Sequence, residues 1–192
     1  MSGRRLLLAV LVVVLVAAAV VAIDRGPSWY DRQRYPLAYA SIVSAHARNY
    51  HLDPALLAAV IYTESKFRPD TVSDAGAVGL MQLLPETAQG IATRTGGSRF
   101  RVSDLRDPEI NVRYGCWYLE HLKRKYRDRP NSTDLALAAY NAGQGRVDGW
   151  LAQAAPGAPV PIAFAETREY LRRVHRVQRI YRDAYADELG YR

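Results

Sequence analysis

The chain has 192 residues, 26 Lys and Arg against 19 Asp and Glu, a net charge of +7, one cysteine and four histidines. That length suits one sizeable domain plus an appendage. A lone Cys116 excludes an intramolecular disulfide, and His46, His51, His121 and His175 show no metal-ligand spacing, so we expect no metal and no cofactor.

Two arginines, Arg4 and Arg5, precede an uncharged run of 18 residues from Leu6 to Ile23. At about 1.5 Å per residue that run spans roughly 27 Å, close to a bilayer core. A cleaved signal peptide is the competing reading, but its apolar region is shorter and Val20-Val21-Ala22 is a mediocre cleavage site. We read residues 1–23 as an uncleaved membrane anchor. Trp29, Tyr30 and Tyr35 suit an interfacial aromatic belt, and the arginines keep the N-terminus in the cytoplasm. Residues 24–36 form a polar and aromatic linker. The rest, 37–192, then lies outside the membrane. There the positive charge points to wall polymers and anionic head groups rather than nucleic acid. Arg168, Arg172, Arg173, Arg176, Arg179 and Arg182 are either a solvated helix face or a loose attraction to the wall.

Periodicity predicts helices over about 37–49, 54–65, 85–94, 108–127, 133–142, 145–154 and 166–188. Asp53-Pro54 and Asp107-Pro108 each read as an N-cap followed by proline at the first helical position. Ser132 or Thr133 can cap the helix that ends before Gly143. Cys116 falls in a pattern of core residues and reads as a small buried hydrophobe. Alternating strand patterns are scarce, so the fold class is all-α. The stretch Ser73–Leu84, with Gly76 and Gly79, has no clean period and reads as a structured loop or small β-turn region.

Glu64 stands out. It follows Val60 by four residues and Ile61 by three, so it projects from the apolar stripe of its helix, near the C-terminus. Apolar surroundings and the negative end of the helix dipole both disfavour ionisation and raise its pKa. A carboxylic acid protonated near neutrality is what a general acid for glycosidic cleavage needs. The alternative is a glutamate turned to solvent in a fraying last turn. Asp70 and Asp74, the nearest other carboxylates in sequence, look like turn residues.

Around Glu64-Ser65 the chain carries Gly79-Leu80-Met81-Gln82, Ala139-Tyr140-Asn141-Ala142-Gly143 and Glu166-Thr167-Arg168-Glu169-Tyr170. In this order and spacing the four strings resemble the catalytic domain of soluble-type lytic transglycosylases, a family related to goose-type lysozyme, over roughly 37–188. Leu84 stands where that family often has Met, a volume-conserving change. The resemblance implies a lysozyme-like helical fold and cleavage of the bond between N-acetylmuramic acid and N-acetylglucosamine in peptidoglycan. Glu64 would be the single acid/base, and the products would be 1,6-anhydro ends. It also implies substrate contacts from Ser73, Met81, Gln82, Tyr140, Asn141 and Glu166.

Each of these residues has a plainer role open to it. Gln82 can brace its loop, Met81 can fill the core, Tyr140 can pack between helices, and Asn141 can end a helix. Glu166 can simply favour a helix first turn. Two other functions stay open, a hydrolase of the same bond with Asp74 as its second carboxylate, and a weakly catalytic wall-binding scaffold.

Overall fold

The structure is a computed structural model, in which residues 7, 10–14, 28–155 and 157–191 are described. The chain divides into two compact units, Met1–Pro36 and Leu37–Arg192. In the first unit the stretch expected as linker contains a short helix, α1 (Ser28–Arg34). The expected anchor over 1–23 lies largely outside the described residues. Among those described, no helix is long and apolar enough to cross a membrane.

The second unit is built from α2 (Ala40–Asn49), α3 (Pro54–Ser65), α4 (Pro85–Thr95), a 3-10 turn (Val102–Arg106), α5 (Pro108–Lys125), α6 (Ser132–Ala142), α7 (Gln144–Gln153) and α8 (Ala165–Ala184). All seven helices expected here are present, with ends shifted by a few residues. The 3-10 turn was not expected. Both Asp-Pro starts behave as such. Asp53 accepts the Leu56 amide at 2.7 Å, and Asp107 accepts those of Glu109 and Ile110 at 2.8 and 3.1 Å. The start of α6 differs. Asn131 takes the N-cap position, and its side chain instead pins Val160 through both backbone groups, at 2.9 and 3.1 Å.

The expected apolar stripe on α3 needs correcting. Leu56, Leu57, Val60 and Ile61, together with every alanine between Pro54 and Ile61, are buried, so the helix is apolar on all sides. It runs through the middle of the domain, packed along α8 and, more lightly, α2. Each large aliphatic side chain buried there contributes about 1.5–3 kcal/mol, more than the cap at its start, so burial and not propensity fixes the helix.

Between α3 and α4 the chain forms the small β-like region. Val78 makes single antiparallel bridges to Val72 and to Leu83, and no longer strand forms among the described residues. A buried cluster that includes Val78, Leu83, Ile91, Leu105 and Tyr114 joins this loop to α4 and α5. Cys116 is buried among core residues, and burial pushes its thiol pKa up. Of the expected basic row, Arg182 pairs with Asp53 at 2.8 Å and Arg172 with Glu169 at 2.8 Å, while Arg173, Arg176 and Arg179 are exposed.

Candidate active site

The site begins with the way α3 ends. Lys66 and Phe67 both adopt left-handed backbone angles (φ 56° and 59°), an uncommon pair for side chains with a Cβ. This sharp stop leaves Glu64 in the last helical turn, and Phe67 is pulled back into the core against Tyr181. Such strain persists only where surrounding packing fixes it. Here the buried Ser65 ties the helix end to the loop, its hydroxyl donating to the Leu80 carbonyl at 2.8 Å.

The loop is clamped from the other side by Asn111 on α5. This side chain is fully buried. It accepts the Met81 amide at 2.8 Å and donates to the carbonyls of Val78 and Leu105 at 2.9 and 2.8 Å. Gly79 passes so close that a Cβ there would lie 2.1 Å from the Asn111 amide nitrogen and 2.2 Å from the Leu105 carbonyl. With φ at +84°, the position requires glycine on both counts.

Glu64 is only partly exposed. Its Oε1 accepts the Tyr170 hydroxyl, on α8, at 2.8 Å. Burial raises its pKa from 4.5 to about 7, against the opposing pull of the Tyr170 hydrogen bond, which favours the carboxylate. At neutral pH a large fraction of the side chain therefore carries its proton. Tyr170→Phe removes the opposing pull. We expect the alkaline fall in activity to move to higher pH and turnover at the optimum to drop about tenfold, as for loss of a hydrogen bond to a charged group. A pH-rate profile of the variant checks both.

The residues that the resemblance implied fall into three groups. Tyr140 and Met81 belong to the frame of the site. The Tyr140 hydroxyl donates to the Met81 carbonyl at 2.7 Å, and burial together with the nearby Glu64 raises its pKa far above the usual value. The Met81 side chain is fully buried against Gly115, where a Cβ would sit 2.2 Å from its sulfur, so it fills the core. Gln82 and Ser73 brace the loop. Gln82 has a left-handed backbone (φ 48°) and donates to the carbonyls of Thr71 and Gly79 at 3.1 and 2.9 Å. Ser73 accepts the Ala77 amide at 3.0 Å. Asn141 and Glu166 lie at the junction of α6 and α8. Asn141 accepts the Thr167 hydroxyl at 3.1 Å, and Glu166 is exposed in the first turn of α8, one turn before Tyr170 on the same face.

Asp74 is exposed in its turn, and Asp70 is exposed and 3.5 Å from Arg106. No group of His, Cys, Asp and Glu among the described residues could hold a metal ion.

Two residues of the site escaped the sequence reading. Asn111 sits in the run Asn111-Val112-Arg113 with nothing local to mark it, because its partners lie 30 and more residues upstream or six residues back. Tyr170 closes the fourth motif string. That was the available signal, but the string alone does not say that its hydroxyl meets a residue 106 positions away.

A helical, lysozyme-like domain with one acid held at the end of a buried helix defines the class. The chain belongs to the transglycosylase SLT domain family, whose pattern matches residues 41–158. It is 34% identical over 85% of its length to the soluble lytic murein transglycosylase of Salmonella typhimurium, and 32% identical over 84% to membrane-bound lytic murein transglycosylase C of Salmonella paratyphi B. The chain spans 26% of the first relative and 51% of the second. Among solved structures it resembles the 70-kDa soluble lytic transglycosylase of Escherichia coli, with a TM-score of 0.70 and 28% identity over 86% of this chain and 29% of that one. An inactive mutant of the lytic transglycosylase Slt from Pseudomonas aeruginosa gives a TM-score of 0.69 and 31% identity, over 79% of this chain and 25% of that one.

Proposed function

We propose that the chain is a peptidoglycan lytic transglycosylase with Glu64 as its single acid and base. The observation that carries this reading is the partly buried Glu64 of pKa about 7, braced by Tyr170, in a domain of the SLT family. Protonated Glu64 donates to the glycosidic oxygen between N-acetylmuramic acid and N-acetylglucosamine. The C1–O bond breaks, and the neighbouring N-acetyl group shares the positive charge that develops at C1. Glu64, now a carboxylate, takes the proton from the C6 hydroxyl of the same muramic residue. That oxygen bonds to C1 and closes the 1,6-anhydro ring, which returns Glu64 to its acid form. No water enters, and the intramolecular attack gains from a high effective concentration.

The rest of the site would hold the strand for this step. Ser73, Gln82 and Tyr140 would fix the loop backbone that faces the sugar, while Asn141 and Glu166 would offer polar groups from the junction of α6 and α8. Met81 contributes through its carbonyl and its packing rather than by direct contact. The apolar N-terminal run would hold the enzyme at the membrane, with residues 37–192 on the extracytoplasmic side. Its described members Leu7 and Val10–Val14 leave more than half of each side chain exposed, which fits a lipid surface better than water.

Mass analysis of the products from purified peptidoglycan tests the reaction. Anhydro-muropeptides, one water lighter than reducing-end products, are expected. Reducing ends would assign the domain to hydrolysis instead.

A further inference from the structure

Between the outer face of α8 and the first turn of α6 lies a hollow of about 520 Å³ that the reaction above does not use. Tyr170 turns its hydroxyl to Glu64. Residues two apart on a helix point to nearly opposite sides, so Arg168 and Arg172 project away from the acid. Both line the hollow, and so do Arg176 and Arg179. Its one carboxylate, Asp134, is held by His175 at 2.7 Å. The buried Leu171 closes the floor.

The cations are largely uncommitted. Arg168 is set in place by donating to the Ile162 and Ala163 carbonyls, at 2.8 and 2.7 Å. Arg172 has an exposed partner, Glu169, and a pair of that kind contributes little. Arg176 and Arg179 pair with no carboxylate among the described residues. Like charges one turn apart destabilise a helix. Nothing in the packing of α8 requires them, since its core contacts come from Tyr170, Val174, Val177 and Tyr181. Such a row points to an anion.

Arg168, Arg172 and Arg176 recur every four residues, in steps of about 6 Å. A strand of short polyols joined by phosphodiesters repeats its charge on a similar scale and can meet one guanidinium per phosphate. A membrane surface fits less well. The hollow is concave, and no exposed large apolar side chain among the described residues lies on α8, so the helix has nothing to insert between lipids. Nucleic acid is also a poorer match, because no Phe, Tyr or Trp among the described residues lines the hollow to stack a base.

We propose that the hollow between α8 and α6 binds a single anionic phosphodiester strand of the cell wall, with Arg168, Arg172, Arg176 and Arg179 on its phosphates. The strand would lie on the far side of α8 from Glu64 and leave that groove open. The test uses the full-length protein in a neutral detergent and a fluorescently labelled octamer of glycerol phosphate, read by anisotropy. Arg176→Ala with Arg179→Ala removes two phosphate contacts. It should weaken binding about a hundredfold, roughly tenfold for each charge-assisted bond, and flatten the salt dependence. Arg176→Lys with Arg179→Lys keeps the charge and should recover most of the affinity. Arg99→Ala with Arg113→Ala removes the same charge from exposed positions elsewhere and should bind as the wild type does.

Equal weakening by the two alanine pairs overturns the proposal and leaves only the general attraction of a chain of net charge +7. An unchanged affinity in the Arg176 and Arg179 pair overturns it, as does a wild type that fails to bind at physiological salt. Displacement of the strand by phosphatidylglycerol mixed into the micelle overturns it too and gives the hollow to lipid head groups. The measurement needs no cleavage, so its outcome is independent of the role of Glu64.

Discussion

Replacing Glu64 with glutamine is expected to lower turnover on purified peptidoglycan by on the order of 10²–10⁴-fold in a domain that stays folded. Glutamine keeps the shape and still accepts the Tyr170 hydroxyl, but it has no proton to give and none to take back. Both halves of the proposed reaction run through this one group, so no other side chain compensates.

The same substitution reads the cost of burying the acid. The folded pKa of Glu64 is about 7, above its ordinary 4.5. The fold therefore binds this proton more tightly than the unfolded chain does, and the resulting stability is full below about pH 4.5 and is lost as pH rises through 7. Glu64→Gln does not titrate. Melting curves of the two proteins should run in parallel below pH 4.5 and diverge between pH 4.5 and 7. Above that the wild type should have lost about 3 kcal/mol relative to the variant, the size that a shift of this order implies. Full activity in Glu64→Gln would remove the residue from the mechanism.

Asn111→Leu should have the largest effect on the fold. The leucine is nearly isosteric, but it strands the Met81 amide and the Leu105 carbonyl in a place closed to water and removes one of the two bonds to the Val78 carbonyl, which keeps the Leu83 amide at 3.1 Å. Each buried group left unpaired costs about 1–3 kcal/mol, so a total of about 3–5 kcal/mol is expected. That is a large share of the 5–15 kcal/mol typical of whole domains, and it lowers the melting temperature by roughly 10 °C. Any protein that still folds should have lost most of its activity, because Asn111 holds the backbone of Met81, whose carbonyl receives Tyr140. A melt and an activity assay run together decide the point. An unchanged melting temperature would show that the loop does not depend on this clamp.

The two residues differ in how far the sequence announces them. Glu64 is legible because a carboxylate among Val60, Ile61 and alanines is a local anomaly, and because the motif strings around it come in a fixed order. The helices are legible for a similar reason, since Asp53-Pro54, Asp107-Pro108 and Gly143 mark their ends within a few residues. Asn111 is invisible because its meaning lies in three backbone groups, two of them in a loop 30 and more residues upstream. The burial of α3 on every side is hidden too. Its sequence reads as a one-sided apolar stripe until α8, about a hundred residues on, is seen packed along it. Met81 and Gln82 show a third kind of gap. Their place in a motif points to the site, but only the fold separates a side chain that faces a ligand from one that holds the loop.

The most direct measurement is a pH titration of the Glu64 side-chain carboxyl carbon by carbon-13 NMR on the full-length protein, with the resonance assigned by its absence in Glu64→Gln. A midpoint near pH 7 is expected, matching the alkaline limb of the pH-rate profile and moving upward in Tyr170→Phe. A midpoint at the ordinary carboxylate value, in an enzyme that remains active at neutral pH, would contradict a proton held by burial and with it the role of Glu64 as the acid.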